Sequence, residues 1–202
     1  MKVKNAIELH HSITPLLIWG LMVTYKNFNQ ISWIYFALHG TYSFISLFFD
    51  YILPNENLDK EIPTKIFFNQ FFTLGLYWVI PIIIISNFVT VSTSIVVLSI
   101  LLNIFGIVIL FTNKVRQNFV NKYEKGLEKE KEVNQCQNKI YFGEMAIYFS
   151  FALLSKDWIS FFILSLLLVE ILVDNDFVSD FNSNYKNYNA NQGFLFMKFK
   201  KK

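Results

Sequence analysis

Ile66–Asn113 reads IFFNQFFTLGLYWVIPIIIISNFVTVSTSIVVLSILLNIFGIVILFTN, 48 residues without one Asp, Glu, Lys or Arg. About 18 apolar residues in a row already read as a transmembrane helix, so this run has room for two. It divides near Ser86-Asn87, where two polar residues interrupt the apolar sequence. Pro81 lies inside the first half, which membrane helices tolerate better than soluble ones.

The remainder of the chain agrees. Of 202 residues, 53% are hydrophobic, 18% aromatic and 16% charged, and the mean hydropathy is +0.37. A soluble domain averages about 25% charged residues. The composition excludes an ordinary soluble enzyme and a disordered linker. Cys136 is alone, which excludes an internal disulfide scaffold. A net charge of +3, small and scattered, gives no nucleic-acid footprint.

Charged residues mark the ends of further apolar stretches, and the whole predicts an all-α integral membrane bundle of about six helices. The expected spans lie near 12–25, 31–49, 66–86, 91–112, 140–155 and 158–174, in one membrane domain covering 1–202. The last two are short and divided by Lys156-Asp157, so a re-entrant pair is the alternative reading. Six spans place the N-terminus, the 50–65 loop, the 113–139 loop and the C-terminal tail on one side. Those segments carry 16 Lys and Arg, and the opposite side carries only Lys26 and Lys156. Cytoplasmic loops are enriched in Lys and Arg, so both termini are expected in the cytosol, or in the matrix of a mitochondrion. Met1–His11 is polar and no small-residue cleavage site follows, so no cleavable signal is expected.

The polar 113–139 segment reads as a helical connector, with Glu128 and Glu132 alternating with Lys125 and Lys129 at helical spacing. The 175–202 tail is rich in Asn, Asp and Tyr and ends in four lysines suited to anionic headgroups. His10, His11 and His39 make no metal-ligand spacing, so no metal is expected. Seven dispersed glycines form no phosphate loop. Glu144 is the one acid in the apolar end region of a span; it reads either as a pocket acid or as a helix-start acid favoured by the dipole.

Tyr141-Phe142-Gly143-Glu144-Met145, followed by Ile147-Tyr148-Phe149-Ser150-Phe151-Ala152-Leu153, resembles the C-terminal signature of the steroid 5α-reductase-like membrane proteins. The similarity is closer to the branch known as domain of unknown function 1295, which reads Arg-Asn-Pro-Asn-Tyr-Leu-Gly-Glu before an aromatic and aliphatic helix. Thr14-Pro15-Leu16 resembles part of that family's first span, and His39-Gly40-Thr41-Tyr42 its His-Gly-x-Tyr segment. Asp50, Pro54, Gly126-Leu127, and Tyr188 with Gly193-Phe194-Leu195 follow in the family's order. The resemblance implies a helical bundle and an NADPH-dependent reductase of lipophilic enone or sterol-like substrates. In such a reductase the cofactor supplies hydride and the protein mainly binds and orients it.

Position by position, the family's Arg corresponds to Gln137, its Pro to Lys139 and its second Asn to Ile140, while Asn138 is kept. Its Asp-x-Gln-Lys segment corresponds to Asn113–Gln117, its later Trp and Lys to Ser46 and Phe49, and its late Arg to Asn191. An acid near the tail corresponds to Asp176, and the Ser-Arg-Tyr-Pro region to Asp180–Ser183. Cofactor phosphates are held best by Arg forks, and Arg116 is the only Arg. The kept residues, Glu144 apart, are those that pack. The pattern implies a reductase-like fold kept as a non-catalytic accessory subunit of a larger membrane complex, with lipids and neighbouring subunits as partners and no cofactor. A respiratory assembly of the mitochondrial inner membrane is the expected setting, with the endoplasmic reticulum as the other. The alternative is an active NADPH reductase. It would use Glu144, Tyr141, His39 and Tyr42 for chemistry, and Asn138, Tyr141, Glu144, Arg116 and Lys114 for the cofactor. A bundle that binds lipid without chemistry is the third reading.

Overall fold

The uncharged run breaks where its polar residues fall. Helix α4 (Val79–Ser86) ends at Asn87, and α5 (Thr93–Tyr123) begins six residues later. A computed structural model describes residues 3–53, 63–123 and 127–166. Ahead of these elements lie α1 (Val3–Tyr25), α2 (Gln30–Ile52) and α3 (Thr64–Gly75), the last joined to α4 by a 3₁₀ turn, Leu76–Trp78. After them come α6 (Leu127–Ser155) and α7, helical from 158 through 166. Among the described residues there is no strand.

The 3₁₀ turn has a local cause. Pro81 has no N–H for the carbonyl of Tyr77, and its ring crowds that carbonyl. The helix tightens over the preceding turn, a usual response to local strain.

Three helices end in the same way. Lys26 (φ 52°), Phe88 (φ 50°) and Lys156 (φ 52°) take the left-handed conformation just past α1, α4 and α6. After α1 the N–H groups of Lys26 and Asn27 donate to Val23 and Met22; after α4 those of Phe88 and Val89 donate to Ile85 and Ile84. These are Schellman closures, and their paired bonds hold non-glycine residues in a region they otherwise avoid. Asparagines then tie the two turns together. Asn27 Nδ2 donates to the Ile85 carbonyl at 2.7 Å and Asn29 Nδ2 to the Val89 carbonyl at 3.2 Å. Asn29 also caps α2 through Ser32 N–H at 2.8 Å. The 26–29 and 87–92 turns therefore share one end of the bundle.

The most extensive helix contact joins α5 to α6. On α5 the seam runs through Val96, Ser99, Asn103, Gly106, Leu110, Asn113, Gln117 and Val120; on α6 it runs through Cys136, Ile140, Gly143, Ile147, Ser150 and Leu154. Steps of three and four are the spacing of an antiparallel helical pair that keeps one stripe in contact. The centre of the seam is backbone against backbone. A Cβ on Gly106 would lie 2.6 Å from the Gly143 carbonyl oxygen, and one on Gly143 would lie 2.8 Å from that of Gly106. One turn away Asn103 Nδ2 donates to Ser150 Oγ at 3.0 Å, fully buried. Small residues that let backbones meet, with polar side chains bonding across, are the packing mode of membrane helices.

The surface is inverted relative to a water-soluble protein. His10, His11, Thr14, Asn27, Ser32, His39, Ser99 and Asn103 are buried, while Leu16, Phe44, Phe72, Leu101, Ile104 and Val108 are exposed. Asn5–Tyr25 and Thr93–Tyr123 are long and apolar enough to cross a membrane, and only 33% of each apolar window is buried, where a soluble core helix is mostly covered. The chain is thus all-α and membrane-associated.

Against the expected spans, α1 starts earlier than 12, because Ala6, His10 and His11 also pack inward. The third expected span is one interrupted helix, and the break after Ser86 is as expected. The expected connector is helical over 113–123, as the continuation of α5, and over 127–139, as the start of α6. Within it Arg116 meets Glu132 across the hairpin at 2.9 Å, while the side chains of the Glu128/Lys125/Lys129 alternation lie outside the described residues. The sixth span is described only to 166, and Pro54, Gly126 and the 175–202 tail lie outside the described residues.

Glycine substitutions test the seam. Gly106→Ala and Gly143→Ala are expected to lower stability in detergent by about 1–3 kcal/mol, the usual cost of overpacking. Gly20→Ala and Gly40→Ala, whose Cβ positions meet nothing within 4 Å, should be neutral or stabilising. Equal thermal shifts for the two pairs would refute the close contact.

Candidate functional site: the polar interior beside the α5–α6 seam

Next to the glycine seam, α6 carries Gln137, Tyr141, Glu144 and Tyr148 at helical spacing on a second face. Gln137 is the hub of its outer part. It accepts from Gln117 Nε2 and donates to Tyr141 Oη, both at 2.8 Å. Beyond it, Arg116 meets Glu132.

A second ion pair closes the α2 side. Lys114 Nζ lies 3.1 Å from Asp50 Oδ1, the lysine side chain 25% exposed and the aspartate 12%. The pair sits over a ring stack in which Phe49 and Phe111 are 4.4 Å apart, and Lys114 faces the Phe111 ring at 5.8 Å. Glu144 is half-buried within electrostatic range of both Lys114 and Asp50. Since α6 starts at Leu127, Glu144 stands about 25 Å along the helix. It is therefore not a helix-start acid, and the dipole reading is corrected.

Deeper in, aromatic rings fill the space between α1, α2, α4 and α6. His39 is stacked on Phe151 at 5.1 Å, lies 5.7 Å from Tyr77, and shares a 3.2 Å hydrogen bond with Ser43. Tyr42 meets Tyr148 edge-on at 6.4 Å, and Tyr148 lies 4.9 Å from Tyr77. His11 packs edge-on against Tyr42 and bonds Ser46 at 3.4 Å. His10 stacks on Trp78, whose Nε1 donates to Thr14 at 2.9 Å. Two buried imidazole nitrogens in this interior, His10 Nε2 and His11 Nδ1, have no hydrogen-bond partner among the described residues, while the buried Tyr35 and Tyr77 hydroxyls face each other.

The fold thus gathers Glu144, Tyr141, Tyr42 and Lys114 along one side of α6, with His39 one layer deeper. Arg116 stays at the outer end. Asn138, one residue beyond Gln137, falls off that face. Ile140 is buried in the glycine seam and offers only hydrocarbon. Among the described residues no three His, Cys, Asp or Glu side chains cluster as a metal site. Asp176, Asp180–Ser183, Tyr188 and Asn191 lie outside the described residues.

The sequence marks Asp50 as a span edge and as a position in the resembled family's order, and Gln117 as the end of its Asp-x-Gln-Lys segment, but gives none of Asp50, Gln117, Tyr35 and Tyr77 a role in a site. Asp50 had a signal: it ends an uncharged stretch and has its opposite charge, Lys114, at the matching end of another. Tyr35 and Tyr77 had none, because an aromatic residue inside an apolar run reads as packing.

No protein-family model, no curated protein and no solved structure matches this chain.

The facing hydroxyls give a test. Leaving one buried hydroxyl without its neighbour costs about 1–3 kcal/mol. Tyr35→Phe and Tyr77→Phe should each lower the detergent melting temperature, and the double variant should lose less than the sum of the two. Additive losses would show that the two hydroxyls do not interact.

Proposed function

We propose that this chain is a non-catalytic six-span membrane protein, related in design to the steroid 5α-reductase-like bundle, that serves as a structural subunit of a larger membrane assembly. The carrying observation is that both cations expected at cofactor phosphates are already neutralised, Arg116 by Glu132 and Lys114 by Asp50. The Tyr141 hydroxyl is held by Gln137, and Ile140 stands where the related signature has a polar contact. A dinucleotide with three phosphate groups needs free forks and donors, and this donor set does not fit one. The tight ring packing around His39 supports the same reading. The broad apolar exterior suits lipid and neighbouring subunits.

In this reading the lysine-rich termini and the α5–α6 tip share the cytosolic or matrix side, and the inner mitochondrial membrane is the first setting to examine. The competing reading is an NADPH-dependent reductase of a lipophilic enone. The buried Tyr35 and Tyr77 hydroxyls and the half-buried Glu144 near Tyr42 and Tyr148 favour it.

Gentle detergent extraction of the native membrane followed by native electrophoresis tests the subunit reading. The chain should migrate within a particle far larger than its own 23.8 kDa. The purified chain should leave NADPH fluorescence unchanged at micromolar cofactor. Migration as a monomer together with saturable NADPH enhancement would overturn the proposal in favour of the reductase.

A further inference from the structure

The end of the bundle that carries the 26–29, 87–92 and 156–157 turns has a distinctive surface. Trp19, Phe28, Trp33 and Phe36 form one ring cluster, with Trp19 and Trp33 5.8 Å apart, Phe28 6.2 Å from Trp19, and Phe36 6.1 Å from each indole. Trp19, Phe28 and Trp33 are each nearly half exposed, and Trp158, opening α7, is 75% exposed. The Asn27 and Asn29 bonds place the first two turns together. The antiparallel α5–α6 pairing brings the end of α6, and with it Trp158, to the same end.

These indoles differ from Trp78, which is satisfied by Thr14. Among the described residues nothing accepts a hydrogen bond from Trp19, Trp33 or Trp158. Each offers an apolar body and a free polar tip on the outside of the protein. The charges at this end are biased too. The turns hold Lys26, Lys156 and Asp157, and both lysines are exposed. Asp157 is occupied, its Oδ1 accepting from the Ile159 N–H at 2.8 Å at the start of α7. Trp19 lies about 10 Å along α1 from Lys26 by helical rise, so the indole sits at a lower level than the cation, in the order of an interfacial aromatic belt under basic residues.

We infer that this end is a built lipid anchor: the exposed indoles seat in the carbonyl layer of one leaflet, and Lys26 and Lys156 engage phospholipid phosphates above it. The partner is the headgroup layer itself, whose depth chemistry matches amphipathic rings below cations. The inference rests on the membrane reading but not on the subunit reading.

The test reconstitutes the full chain into phosphatidylcholine vesicles containing phosphatidylglycerol, with lipids brominated either near the headgroup or near the bilayer centre. Trp33→Phe/Trp158→Phe, Trp19→Phe/Trp158→Phe and Trp19→Phe/Trp33→Phe each leave one exposed indole beside Trp78. Shallow bromines should quench each of these indoles at least about twofold more than deep ones, as the interfacial position of Trp requires. Lys26→Glu/Lys156→Glu, with all indoles kept, should shift the emission to the red. Stronger deep quenching, absent quenching from burial against a second protein or in water, or an unmoved emission would each overturn the anchor. Alkaline carbonate extraction separates the two levels. Release of the chain would refute the membrane reading, whereas a retained chain with unquenched indoles would refute the anchor alone.

Discussion

Two glycines in contact set the geometry of this protein. With Gly106 against Gly143, the α5 and α6 backbones approach to a distance at which neither position has room for a methyl group. Dispersion and hydrogen bonds across such a crossing replace the hydrophobic effect, which has no purchase between helices in lipid. The crossing fixes the register that pairs Asn103 with Ser150 on one side and Gln117 with Gln137 on the other. It also turns the neighbouring face of α6 toward α2, where Tyr148 meets Tyr42.

From that arrangement the inside-out character follows. The centre of the α5–α6 seam takes Gly106, Gly143, Asn103 and Ser150 between buried aliphatic residues, while many other large apolar side chains face outward. Polar side chains buried elsewhere are held by their own helices or by ring packing: Thr14 bonds the His10 carbonyl at 2.7 Å, and His39 lies against Phe151. The two ends of the bundle then diverge in chemistry. One end closes with left-handed turns and asparagine bridges under a ring of exposed indoles. The other carries the Lys114–Asp50 and Arg116–Glu132 pairs and the Gln117–Gln137–Tyr141 chain.

Much of the fold could be read from charge placement alone. The uncharged run and the break at Ser86-Asn87 follow from the cost of polar groups in hydrocarbon, which acts on every residue and leaves a plain signal. The helical nature of 113–123 and 127–139 was legible from the segment's Glu/Lys spacing, but the Arg116–Glu132 pair across the hairpin was not, because local spacing carries no information about a distant partner. Gly143 was noticed as part of a signature, whereas Gly106 was one more small residue in an apolar run. Its meaning appears only when α6 is laid against it. The site was legible in its titratable members, Glu144, Tyr141, Lys114 and Arg116. It was illegible in Tyr35 and Tyr77, whose roles come from packing between helices far apart in sequence.

The central claim is the register of the α5–α6 pair within the membrane. Cysteine cross-linking in native membranes, in a chain with Cys136→Ser, reads it directly. Asn103→Cys/Ser150→Cys and Gln117→Cys/Gln137→Cys should each be bridged by a short bifunctional thiol-reactive reagent that spans the length of the replaced side chains, since the native side-chain tips meet at 3.0 and 2.8 Å. Asn103→Cys/Gln137→Cys, about 20 Å apart along the hairpin, should not. Cross-linking of that third pair, or failure of the first two, would contradict the glycine-centred register and the bundle built on it.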